Sequence, residues 1–245
     1  MEQTIINNSH AVKQALREMA NPTKALILGR FFKTGVGEYG QGDIFWGITV
    51  PQQRSIAKQF NNLTLPEIKK LLTDKIHEVR LTGALILVDQ YQHCRNKEGK
   101  KSYLDFYLNN IKAFNNWDLI DLTAPNIIGN YLVSNQNSGL LNQLSLNNNL
   151  WSKRAAMVAN LTLIKNGDCA TAIDLARLYL TEKHDLLHKV TGWVLREVGQ
   201  REPDTLLAFL NKYAFIMPRV MLRYSLEKLP PTLRQKYLKT DHELN

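Results

Sequence analysis

The chain has 245 residues, 44% of them hydrophobic and 22% charged, which suits one large domain or one repeat array with a sizeable core. Its formal net charge is +9 with a sequence pI ≈ 9.5, which points to an anionic partner, nucleic acid or an acidic membrane surface first, with an uncommitted basic surface as the alternative. No run approaches the ~18 apolar residues of a membrane span, and the start MEQTIINNSH is no secretion signal. Cys94 and Cys169 stand far apart without a metal-type spacing, so the expectation is a cytoplasmic protein with reduced thiols and no zinc site.

In chain order, residues 9–20 and 22–33 read as two amphipathic helices, separated by Asn21 and by Pro22 at a first helical turn. The stretch 34–51 is a loop carrying Gly35, Gly37, Gly40, Gly42 and Gly47. It lacks the lysine and Ser/Thr ending of a phosphate-binding loop. Phe45, Trp46 and Ile48 are expected to pin it to the body, and Pro51 opens the next helix. Leu65 to Leu72 is another short helix.

From Ile76 onward a repeat emerges. HEVRLTGALILVDQY, NNWDLIDLTAPNIIGNYL, LWSKRAAMVANLTLIK and LLHKVTGWVLREVGQ share small residues in the middle and aliphatic ones around them. Matching Arg80, Trp117, Lys153 and His188 gives separations of 37, 36 and 35 residues. A fifth unit begins near Met217, and SYLDFYLNNIKAF and CATAIDLARLYL read as the alternate helices. Such a period is near the range of helical solenoids of the HEAT class. The expected fold is all-α: a right-handed superhelical α-solenoid of HEAT-like helix pairs with a concave basic groove, one domain over 1–245 with the glycine-rich loop 34–50 inside it. An irregular helical domain is the alternative. Pro125 removes a backbone donor inside the second matched helix, so a kink or a helix break is expected there.

The most informative stretch is Asn115 to Leu132. Trp117 and Asp121 are four residues apart, hence on one helix face. A carboxylate among Leu119, Ile120, Leu122 and Ile127 is costly unless it has a partner or a task. The later matched helices carry Lys153 and Arg154, then His188, Lys189 and Trp193, then Arg219 and Arg223. Together these residues read as a basic groove with two indoles and one carboxylate, binding phosphates by charge and shape with little sequence preference. Each has a plainer reading. The indoles suit core positions, Asp121 suits a first helical turn, Arg154 suits a structural ion pair with it, and the lysines suit a solvated face. The six histidines show no cluster in the sequence, and no Ser/His/Asp arrangement is visible.

At these residues the chain resembles the AlkD family of DNA alkylation repair glycosylases. The likeness rests on WDLID at 117–121, WSKRAA at 151–156 and KVTGWVLRE at 189–197, with FWGITVPQQR at 45–54 similar in kind to the family's N-terminal loop and helix. The resemblance implies a HEAT-like solenoid that removes cationic N3- and N7-alkylated purines from duplex DNA, without a metal or other cofactor and without obligatory base flipping. It implies that Asp121 is the catalytic aspartate, that Trp117 and Trp193 face the DNA, and that Arg154 lies near the lesion. Lys153, Lys189, His188, Arg219 and Arg223 complete the expected DNA-binding set. The expected partner is double-stranded DNA bearing alkylated purines, met by a monomer that is cytoplasmic and nucleoid-associated when bound. The alternatives are a non-catalytic solenoid for distorted or branched DNA, and a protein-binding solenoid.

Overall fold

The computed structural model describes residues 7–135 and 139–239. The described residues are all-helical apart from loops and one isolated parallel bridge between Ile44 and Ile76, and the fold is α-solenoid-like. They fall into two compact units, Met1–Thr123 and Ala124–Asn245.

The first unit holds α1 (Ser9–Glu18), α2 (Pro22–Phe31), α3 (Val50–Gln59), α4 (Leu65–Leu72), α5 (His77–His93), α6 (Lys97–Asn109) and the start of α7 (Trp117–Ala124). Local chemistry sets several of the starts. Asn8 accepts from the Ala11 N–H, Asn21 accepts from the Lys24 N–H, and Pro22, Pro51 and Pro66 occupy first-turn positions where no donor is lost. α5 is the central helix, buried from His77 through Val88 and contacted by α1, α3, α4 and α6. Gly83 permits its close approach to α4, since a Cβ there would lie 2.7 Å from Leu71 Cβ.

The helix expected over 22–33 forms, but α2 buries none of its residues. Leu26, Ile27 and Phe31 are exposed, whereas Ala25, Leu28 and Gly29 are half-buried and Phe32 just beyond is buried, so the apolar residues of the segment are split between two faces. The helix is tied at its N-terminal side instead. The Asn21 N–H donates to the Trp46 carbonyl at 2.7 Å, and Gly47, at φ +81°, passes so close that a Cβ would fall 2.1 Å from the Asn21 oxygen.

The second unit continues with a helical turn of the wider π type at Pro125–Gly129, then α8 (Asn130–Asn135), α9 (Gly139–Ser145), α10 (Leu150–Lys165), α11 (Ala170–Leu178), α12 (Asp185–Arg201), α13 (Pro203–Tyr213), α14 (Arg219–Ser225) and α15 (Pro231–Leu238). Of the kink or break expected at Pro125, the break does not occur. The backbone remains helical through Pro125, and the carbonyl of Pro125 accepts from Thr162 Oγ1 at 2.8 Å. α10 packs on α12 and α12 on α14, while α11 bridges α10 and α12 and α13 lies on α12. That is the alternation of a solenoid. Gly192 makes the α12–α14 contact possible, because a Cβ would lie 2.4 Å from the Met221 carbonyl oxygen.

Candidate active site

The start of α7 is held by an ionic chain that joins three segments of the first unit. Asn116, fully buried, accepts from the Trp117 N–H at 2.8 Å and donates from Nδ2 to Asp43 Oδ2 at 3.1 Å. Asp43 Oδ2 also lies 3.0 Å from His77 Nδ1, and His77 Nε2 lies 2.8 Å from Asp118 Oδ2. Arg80 donates from Nη2 to Asp43 Oδ1 at 2.7 Å and from Nη1 to the Asp74 carbonyl at 3.1 Å. His77 is 1% exposed. Burial alone would disfavour its charge, but the Asp118 carboxylate and then Asp43 outweigh burial and push it up to about 9. Burial raises the Asp43 carboxyl, yet hydrogen bonding to His77 and the charge of Arg80 hold it below the usual range. At neutral pH the imidazolium therefore bridges two carboxylates.

An aromatic column runs beside this chain. Trp117 stacks on Phe32 with centroids 5.1 Å apart and planes at 12°. Phe32 stacks on Phe45 at 5.0 Å, and Phe45 stacks on the His77 ring at 4.5 Å. Phe31 meets Trp117 edge-on at 5.9 Å. Phe45 and Ile48 are buried, as expected of residues pinning the glycine-rich loop, and Trp46 is half-buried. Glu78 completes the anchorage: its carboxylate accepts from the N–H groups of Trp46, Gly47 and Ile48 at 2.8–3.2 Å. A mainly apolar cavity of ≈ 170 Å³ lies here, lined by Ile27, Phe32, Phe45, Gln53, His77 and Asp118 among others.

Asp121 follows Trp117 by one turn of α7, and both are half-buried. The buried Tyr107 hydroxyl bonds Thr123 Oγ1 at 2.9 Å. Its acidity is suppressed first by burial and further by the charge of Asp121. The two residues expected to lead the chemistry thus stand on a helix whose first turn is tethered through Asn116 and Asp118.

In the second unit the expected cations are mostly engaged. Lys153 pairs with Glu182, and His188 Nε2 lies 2.6 Å from the Glu182 carbonyl, so these two converge on one residue. Lys189 pairs with Asp185 at 2.7 Å across one helical turn. Arg154 is only 5% exposed and donates from Nη1 to the Leu186 carbonyl at 2.8 Å, tying α10 to α12. Trp193, half-buried, lines an open cleft of ≈ 370 Å³ with Lys165, Glu197 and Arg201. Arg219 and Arg223 are exposed, and Arg219 reaches the Leu238 carbonyl at 3.2 Å.

Sequence reasoning missed Asp43, His77, Asn116 and Asp118. His77 was read as one of six histidines without a cluster in the sequence. Its partners are carboxylates 34 and 41 residues away. The one available signal was its position at the start of α5, the helix matched in the repeat to α7.

An all-helical, α-solenoid-like fold with a half-buried acid and indole one turn apart on α7 defines the class of the molecule. The family is then given directly. Residues 12–229 match the family model described as DNA alkylation repair enzyme, and the chain belongs to that family. Among solved structures it resembles a predicted DNA alkylation repair enzyme from Enterococcus faecalis, with a TM-score of 0.68 and 16% identity over 86% of this chain and 97% of the other. At that identity the likeness is one of fold. No curated protein matches the chain. Family membership assigns it a role in repairing alkylated DNA, with DNA as its partner.

Proposed function

We propose that this protein is a monofunctional DNA glycosylase that hydrolyses the N-glycosidic bond of cationic N3- and N7-alkylated purines in duplex DNA. The observation that carries the reading is Asp121, a half-exposed carboxylate one turn beyond Trp117 on a helix tethered at its first turn. An alkylated purine is already positive and leaves as a neutral base. Its departure puts positive charge on the sugar as an oxocarbenium-like species, which an ionised Asp121 stabilises while orienting the attacking water. A unit charge pair at ~4 Å with an effective dielectric of ~20 is worth ~4 kcal/mol, or roughly a thousandfold in rate.

Trp117 and Trp193 present indole faces to the lesion's sugar and favour the developing cation. Lys153, Lys189, His188, Arg219 and Arg223 supply phosphate contacts, some of them by exchanging a protein carboxylate for a phosphate. Arg154, held by the Leu186 carbonyl, sets register by orienting its neighbours. The repeat is of the HEAT type and the working form is a monomer. The test is release of 7-methylguanine and 3-methyladenine from methylated duplex DNA. Release above the spontaneous rate supports the reading, whereas tight salt-sensitive DNA binding without release would make the protein a non-catalytic DNA binder.

A further inference from the structure

We propose that Asp43, His77 and Asp118 form a positioning relay that fixes the first turn of α7, and with it the presentation of Trp117 and Asp121. The proposal rests on the reading of Asp121 given above. It follows from the hydrogen-bond inventory of imidazole. Both ring nitrogens of His77 face carboxylate oxygens, at 3.0 Å and 2.8 Å. Only the imidazolium donates from both. Neutral imidazole has one bare nitrogen, which would meet a carboxylate lone pair to lone pair, so one of the two links opens.

The two ends of the relay are unequally held. Asp43 is fixed by Arg80, which is itself fastened to the Asp74 carbonyl, and by Asn116. Asp118 has His77 and the neighbouring Leu119 N–H, which lies 2.9 Å from Oδ1. Loss of the His77 proton therefore loosens the α7 end. The change has a second route to the same helix, through the rings of Phe45, Phe32 and Trp117. The charged and titratable groups near His77 are Asp43 from the loop, Asp118 from α7, Glu78 and Arg80 from α5, and Lys24 of α2 at the rim of the shared cavity. A buried ion chain of this kind contributes little net stability over an apolar cluster of equal volume. What it supplies is a defined orientation for a helix end.

Two readouts test the relay. The first is the single-turnover rate of 7-methylguanine release from a duplex between pH 6.5 and 10, corrected for spontaneous loss. The wild-type rate falls with a midpoint near 9. His77→Gln, which cannot donate to both carboxylates, loses roughly ten- to hundredfold in rate at pH 7, with its affinity for undamaged duplex kept within about twofold of wild type. In Asp118→Asn the neutral imidazole accepts from the new amide at Nε2 and donates from Nδ1 to Asp43. Both links then survive deprotonation and the fall at high pH disappears. The second readout does not need activity. In protein labelled with 5-fluorotryptophan, the fluorine resonance that Trp117→Phe removes shifts with a midpoint near 9, and the shift is absent in His77→Gln and Asp118→Asn.

A His77→Gln enzyme with wild-type rate and pH profile overturns the relay, as does a Trp117 resonance that ignores pH in the wild type. Absence of base release by the wild type overturns the reading of Asp121 instead, and the fluorine signal still decides whether the relay positions α7. Should His77→Gln fail to fold, Asp118→Asn carries both measurements.

Discussion

Raising the pH from 6.5 to 10 should weaken the first unit through a single side chain. His77 is pushed from 6.5 up to about 9 in the fold, so the folded state binds its proton more tightly than the unfolded chain does. The stabilisation is complete below 6.5 and is lost as pH rises through about 9. The proton held more tightly in the fold is worth on the order of a few kcal/mol. Within that window the folded state carries close to one extra proton, so unfolding free energy falls by about 1.4 kcal/mol per pH unit. Asp43 acts in the opposite sense: its lowered carboxyl contributes stability above the ordinary Asp range, lost as pH falls through its folded value. The assay is urea unfolding followed by far-UV circular dichroism at four pH values from 6.5 to 9.5. Wild type is compared with His77→Gln so that the titration of all other groups cancels. The difference in stability between the two proteins should shrink by a few kcal/mol across the series. A difference that stays constant with pH would mean that His77 carries no linked proton, and the ionic chain would have to be redrawn with a neutral imidazole.

Two further outcomes concern the anchored loop and the DNA contacts. Gly47→Ala should destabilise the protein by more than about 2 kcal/mol, because its φ of +81° strains any side chain and its Cβ would strike the Asn21 carbonyl; thermal denaturation checks this, with Gly37→Ala as the comparison, where the same backbone sign meets open space. Replacing Arg219 and Arg223 by alanine, singly, should reduce the slope of log affinity against log salt by up to about 0.9 each while leaving the melting temperature within about a degree or two. An unaltered slope would remove that arginine from the DNA contacts.

Much of the fold was legible because it rests on short-range chemistry. Leu65–Leu72 was placed to the residue, and in the structure Thr64 and Pro66 stand at its start and Thr73 at its end. The start of α2 was likewise marked by Pro22, and those of α5 and α10 by the repeat segments. The outward apolar face of α2 was not, because periodicity shows that Leu26, Ile27 and Phe31 belong to a helix without showing what they meet. Pro125 was read as a kink or a helix break, but a missing donor can also be absorbed by widening one turn, and only the surrounding packing chooses between these outcomes. At the site, Trp117 and Asp121 could be named from their spacing on one helix. The ionic chain beneath them could not, because Asp43, His77 and Asp118 come from three segments and no local pattern links them. Arg154 shows the same limit from the other side: a cation in the expected register turned out to spend a donor on the Leu186 carbonyl.

The central claim is that one ionised carboxylate lowers the barrier for losing a charged base. It is tested most directly by comparing single-turnover base release by wild type and Asp121→Asn on matched duplexes carrying 7-methylguanine or a neutral lesion such as hypoxanthine. The wild type should release 7-methylguanine and little or none of the neutral base. Asp121→Asn should lose on the order of a thousandfold in rate, with DNA affinity maintained. Equal release of both bases, or an Asp121→Asn protein as active as wild type, would contradict it.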